Sequence, residues 1–149
     1  MPELNIYAMF GLYDNVRNAL SKILRSEGGT ADFDKICSRL VEEKASYDYI
    51  ILDPPAFTKS RKAVKGAERG YKEINYRAMK LLPRGGYLAT CSCSHFMEDD
   101  LFRKMLLSAA RDANVQLKLI EARRQAPDHP ALMNVPETDY LKFYLFQLV

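Results

Sequence analysis

Hydrophobic positions recur along this chain with two periods, and the switches between them mark out its elements. In "DNVRNALSKILRS", residues 14–26, Val16, Ala19, Leu20, Ile23 and Leu24 share one helical face. Gly28 and Gly29 end that predicted helix, because glycine tolerates the left-handed backbone of a C-terminal cap. A second amphipathic stretch, residues 32–45, leads into "YDYIILD", which has the length and β-propensity of a buried parallel strand. Pro54 and Pro55 cannot donate ladder hydrogen bonds, so the strand must stop at Asp53.

Helical spacing returns in "YKEINYRAMKLL", with Ile74, Ala78, Leu81 and Leu82 aligned, and "PRGG" ends it. "YLATCSCS" reads as the next strand. "MEDDLFRKMLLSAARDA" reads as a helix with a Met97, Leu101, Met105 stripe and three acids at its start, where the macrodipole favours negative charge. "VQLKLIEARRQ" and "DYLKFYLFQLV" read as two final strands, the last alternating strongly. Strands alternating with helices predict an α/β fold with a mostly parallel sheet and right-handed crossovers. The final pair, with no helix between them, predicts an antiparallel edge. No repeat or linker divides the chain.

Composition narrows this picture only modestly. A chain of 149 residues is one domain's worth, enough to bury roughly 70% of its unfolded surface. No apolar run approaches the ~20 residues of a membrane span. "MPELNIYAMF" lacks the pattern of a signal peptide. Cys37, Cys91 and Cys93 are odd in number and two lie close together, which favours reduced thiols in a cytoplasm over a disulfide scaffold. The net charge of +3 does not by itself identify a nucleic-acid binder.

Three features carry candidate chemistry. Asp53 is delivered to the carboxyl edge of a strand, where open α/β sheets bind ligands; a plain turn cap is the alternative. Alternation places Tyr87, Ala89, Cys91 and Cys93 on one face of the next strand. Cys91 and Cys37 read as small packing residues. Cys93 falls at the strand end, level with Asp53 if the strands are neighbours, and near the N-terminus of the following helix, which favours a reactive thiolate. No metal site is expected, since the Cys-x-Cys has no second pair and His95 and His129 show no ligand spacing. Between Thr58 and Lys72, a basic loop carries Lys59, Arg61, Lys62, Lys65, Arg69 and Lys72, with Glu68 the only acid. Gly66 and Gly70 would make it flexible, and Phe57 and Tyr71 would offer stacking faces for RNA bases. A solvated surface segment is the bland reading of the same charges.

Taken together, "ILDPPAF", "RGYKEIN", "GGYLATCSCS", "RRQAPDHP" and "PETDYLK" resemble the S-adenosylmethionine-dependent rRNA cytosine-5 methyltransferases of the large-subunit type, from about Thr30 to Val149. The resemblance implies a Rossmann-like class I methyltransferase domain, which in that family follows a small RNA-binding PUA domain. It implies that Cys93 is the nucleophile and Asp53 its catalytic partner. It places Asp32, Asp53 and Pro54 on the cofactor; with the basic segment read as an RNA surface, Pro55, Phe57, Lys59, Arg61, Arg69, Tyr71 and Lys72 are the residues expected on the rRNA. In the implied reaction the Cys93 thiolate adds to carbon 6 of cytosine, Asp53 stabilises the charge developing at nitrogen 3, and carbon 5 takes the methyl group before it loses its proton and Cys93 is expelled.

The family's glycine-rich cofactor loop is missing from this sequence. Residues 1–29 are therefore expected to be a helical segment outside the resemblance, and 30–149 the carboxyl-terminal part of the domain. Of the strand order 3-2-1-4-5-7-6, only 4, 5, 7 and 6 are expected. "YDYIILD" would then be an exposed apolar edge inviting self-association, and cofactor binding by the chain alone is not expected. Two further functions stay open: a related guanine methyltransferase with a similar Asp-Pro-Pro motif, and a non-catalytic fragment that binds RNA or a partner protein.

Overall fold

The computed structural model describes the backbone of Ile6–Ala8 and residues 47–149, apart from Pro55, Thr58, Lys59 and the Arg61 side chain. The two helices expected within residues 14–45, and Asp32, lie outside the described residues. Strands β1 (Ile6–Ala8), β2 (Tyr49–Leu52), β3 (Tyr87–Ser92), β4 (Leu117–Arg123) and β5 (Lys142–Leu148) form one sheet in the order β1-β2-β3-β5-β4. β1, β2 and β3 are mutually parallel, and β5 runs antiparallel to both β3 and β4. Only the last strand is reversed. It sits between β3 and β4, so β4 rather than β5 forms the outer edge.

The expected apolar edge is not open. β1 pairs parallel with β2 through the register Ile6↔Tyr49 to Ala8↔Ile51. Three residues of "MPELNIYAMF" thus take the hydrogen bonds that the sequence reading left unpaired, because an apolar strand gains by pairing on both sides.

Helices α1 (Val64–Leu81) and α2 (Asp99–Ala113) cover one face of the sheet. That face is built by alternation: Ile50 and Leu52 from β2, Leu88, Thr90 and Ser92 from β3, and Tyr144, Phe146 and Leu148 from β5 are all buried. Against them pack Tyr71, Ile74, Ala78 and Met79 of α1 and Phe102, Met105, Leu106 and Ala109 of α2. Each large aliphatic or aromatic side chain so buried contributes about 1.5–3 kcal/mol. The α2 stripe runs through Phe102 and Met105, while Leu101 is only half-buried.

The main departure from the sequence reading lies in the basic segment. Instead of a loop to Lys72, a 3-10 turn at Arg61–Ala63 leads into α1 at Val64. Gly66 and Gly70 are inside the helix. Glycine costs an exposed helix only ~1 kcal/mol, less than the core contacts made by Ala67, Tyr71 and Ile74 return. Helix α1 ends at "PRGG", where Gly85 adopts φ +90° and its amide donates to the Leu148 carbonyl at 2.8 Å. The turn before β3 is thereby tied to the end of β5.

Candidate active site

The carboxyl ends of β2 and β3 lie side by side, joined by the register Leu52↔Thr90. Continuing that register by one step puts Asp53 level with Cys91, so Cys93 lies beyond Asp53 rather than opposite it. The chain turns here, and the Cys93 thiol meets the next residue of the motif, with Sγ 4.0 Å from the Pro54 carbonyl oxygen. Asp53 is exposed, Pro54 buried and Cys93 half-buried. The thiol thus meets the Asp-Pro-Pro turn at Pro54, one residue beyond Asp53.

Cys91 sits deeper on the same face. Burial, and then the negative charges of Asp53 and Cys93, push its thiol up to about 12. A thiol held protonated in this way is a poor nucleophile, which leaves Cys93 as the reactive candidate of the two.

The turn carrying Cys93 is braced on both sides. Ser92 Oγ donates to the Tyr71 hydroxyl at 3.1 Å and accepts from the Ser94 amide at 3.4 Å. The Ser94 carbonyl accepts from the Met97 amide at 3.1 Å and from Lys142 Nζ at 2.6 Å. Helix α2 begins only at Asp99, and its first-turn acid Asp99 accepts from the Tyr144 hydroxyl at 2.6 Å. Burial and this bond raise Tyr144 to about 12.

The residues expected to touch RNA separate into different environments. Tyr71 is wholly buried, its ring 4.5 Å from that of Phe57 and edge-on to Phe102 at 5.6 Å. It is a core residue, not a stacking surface, because its position in α1 faces the sheet. Burial pushes its phenol up, against the hydrogen bonds from Ser92 and the Phe57 amide. Phe57 remains 38% exposed at the mouth of the site. Arg69 is exposed on α1. Lys72 is half-exposed and paired with Asp112 of α2 at 2.7 Å. Pro55, Lys59 and the Arg61 side chain fall outside the described residues.

Sequence reasoning missed Lys142, which is 3% exposed at the start of β5. The signal was present: a lysine on the inward face of the otherwise apolar alternation Lys142, Tyr144, Phe146, Leu148. Among the described residues, no three His, Cys, Asp or Glu side chains converge to hold a metal, and no helix is long and apolar enough to cross a membrane.

The chain is 45% identical over 118 residues to the ribosomal RNA large subunit methyltransferase I of Erwinia tasmaniensis, covering 79% of this chain and 30% of that protein. It is 46% identical over 112 residues to the protein of the same name in Shewanella denitrificans, covering 75% of this chain and 28% of that one. The chain thus spans under a third of the length of these relatives. No family model matches it. In fold it is similar to SMU.776, described as a methyltransferase and crystallised with SAH, at a TM-score of 0.66 and 16% identity, covering 91% of this chain and 37% of that chain. At such identity the likeness is one of fold. The sheet accordingly shares the Rossmann-like fold of part of that protein's sheet, mostly parallel with a reversed final strand.

Proposed function

We propose that this chain forms the acceptor side of an S-adenosylmethionine-dependent RNA methyltransferase site, acting on carbon 5 of a cytosine in large-subunit rRNA in the cytoplasm. The observation that carries this reading is the contact of the Cys93 thiol with the Pro54 carbonyl, beside the exposed Asp53. A thiol and a carboxylate at adjacent strand ends suit a ring that must be activated before it can be alkylated. In this reading the Cys93 thiolate adds to carbon 6, breaking the 5,6 double bond and loading carbon 5 with electron density. Asp53, hydrogen-bonded at nitrogen 3, stabilises the charge that develops on the ring. In this reading the exposed Phe57 and Arg69 hold neighbouring nucleotides.

The fit to the methyl donor is only partial. Asp53 and Pro54 offer one corner of a cofactor site, but the seven glycines of the sequence, Gly11, Gly28, Gly29, Gly66, Gly70, Gly85 and Gly86, include no glycine-rich phosphate-type loop. These residues alone therefore do not enclose the cofactor. S-adenosylmethionine would supply the methyl group, and Cys93 and Asp53 prepare the ring that accepts it; loss of the carbon-5 proton then restores the 5,6 double bond and expels Cys93 as thiolate.

The test is covalent trapping on RNA containing 5-azacytidine. The chain is expected to form an adduct that denaturing electrophoresis resolves, and Cys93→Ala is expected to abolish it. An adduct that survives in C93A would sink the nucleophile assignment. RNA binding without any adduct would point to guanine chemistry or to a binding-only role, and calorimetry with S-adenosylmethionine separates those two.

A further inference from the structure

Lys142 opens β5 in line with Tyr144, Phe146 and Leu148, on the face that carries the core. A lysine is rarely so buried unless its ammonium is satisfied. Here Nζ donates to the Ser94 carbonyl at 2.6 Å and to the Tyr140 carbonyl at 2.7 Å. The backbone of Lys142 pairs with Ser92 in the β3–β5 ladder. One residue thus grips both neighbours of Cys93, Ser92 through its backbone and Ser94 through its side chain.

The charged groups that act on it come from every surrounding element: Arg124 and Asp139 from the connection between β4 and β5, Asp99 from α2, and Cys93 from the end of β3. The two carboxylates are shared with other partners. Arg124 lies 3.8 Å from Asp99 and 3.7 Å from Asp139, and Asp99 also takes the Tyr144 hydroxyl. The direct hydrogen-bond partners of the Lys142 ammonium are two backbone carbonyls, Ser94 at the turn and Tyr140 just before β5. A structural filler at this position needs no charge, since an apolar side chain would continue the pattern of β5.

We propose that Lys142 is the positioning residue of Cys93, tying the turn that carries the thiol to the sheet and keeping a cation behind it. The assignment rests on the reading of Cys93 as the nucleophile. A nearby cation favours the thiolate, and a tethered turn holds it in one place. Burial lowers Lys142 to about 8, so the ammonium persists at neutral pH.

The test is alkylation of Cys93 by iodoacetamide, followed by peptide mass mapping from about pH 6 to about pH 9. It needs neither RNA nor cofactor, so it remains decisive for a chain without methyltransferase activity. Lys142→Met is expected to slow the alkylation of Cys93 at neutral pH by at least about fivefold, because the turn that presents the thiol loses its tether. Lys142→Arg, which keeps the charge, is expected to stay within about twofold of wild type. Should circular dichroism show that K142M does not fold, Lys142→Gln takes its place with the same expected slowing. Cys93 reacting in either neutral variant as fast as in the wild type, or faster, overturns the assignment.

Discussion

Asp53 is exposed while Pro54 beside it is buried, so the chain turns inward just past the carboxylate. Asp53→Asn keeps the shape and removes the charge. In the proposed reaction it is expected to lower the methyl-transfer rate by about 10²–10³-fold, the usual effect of losing one stabilising polar group, with RNA affinity little changed. Thr90 makes the opposite case. It lies wholly buried in β3, and its hydroxyl has no hydrogen-bond partner among the described residues. Thr90→Val fills the same space without the unsatisfied oxygen, and is expected to raise stability by about 1 kcal/mol in urea unfolding.

At the scale of elements, α1 converts what reads as a flexible basic loop into a rigid stripe. Lys65, Arg69 and Lys72 lie four and three residues apart, so they share one helical face. Lys72 is held by Asp112 of α2, leaving Lys65 and Arg69 as the exposed cations of the stripe. The two glycines of the helix differ in their surroundings. A Cβ on Gly66 would meet nothing within 4 Å, whereas on Gly70 it would lie 3.2 Å from the Phe57 ring. Gly66→Ala is therefore expected to stabilise the fold by about 0.5–1 kcal/mol. Gly70→Ala is expected to gain less, because the Phe57 ring has to move. Paired thermal melts of the two variants check the order, and a larger gain for G70A would show that Phe57 is not packed on the helix.

For the molecule as a whole, buried groups shape the alkaline limb of stability. Lys142 titrates near 8 when folded and at its ordinary 10.5 when unfolded. Between those values the unfolded chain holds more protons, so stability rises with pH. Cys91, ordinarily at 9.0 and raised to about 12, acts in the opposite sense from about pH 9 upward. Tyr144, ordinarily at 10.0 and raised to about 12, joins it from about pH 10. Stability is thus expected to climb by under about 1 kcal/mol between about pH 8 and 9, and to fall above about pH 10. Thermal melts across this range check the profile, and K142M is expected to lack the climb.

How much of this was legible in the chain depends on the range of the interactions concerned. "YIIL", "YLATCS" and "KFYLFQL" declared themselves as strands because alternation and β-branched or aromatic residues are local properties. The end of β2 was legible for the same reason, since two prolines stop a ladder wherever it runs. Even the candidate nucleophile followed from its place in a strand. What the sequence left open were matters of partnership. Gly66 and Gly70 suggested a loop until the core contacts of Tyr71 and Ile74 outweighed their helix cost. β2 looked unpaired until the three residues of β1, distant in sequence, lay along it. Lys142 closed the quoted "PETDYLK" and stood as an oddity in an apolar pattern, with no role attached. Its meaning came from Ser94, 48 residues away, whose carbonyl it holds. Local periodicity determined most of the elements and the two strand ends proposed to carry chemistry; only tertiary packing decided who brackets them, because hydrogen bonds between distant segments leave no periodic trace in the chain.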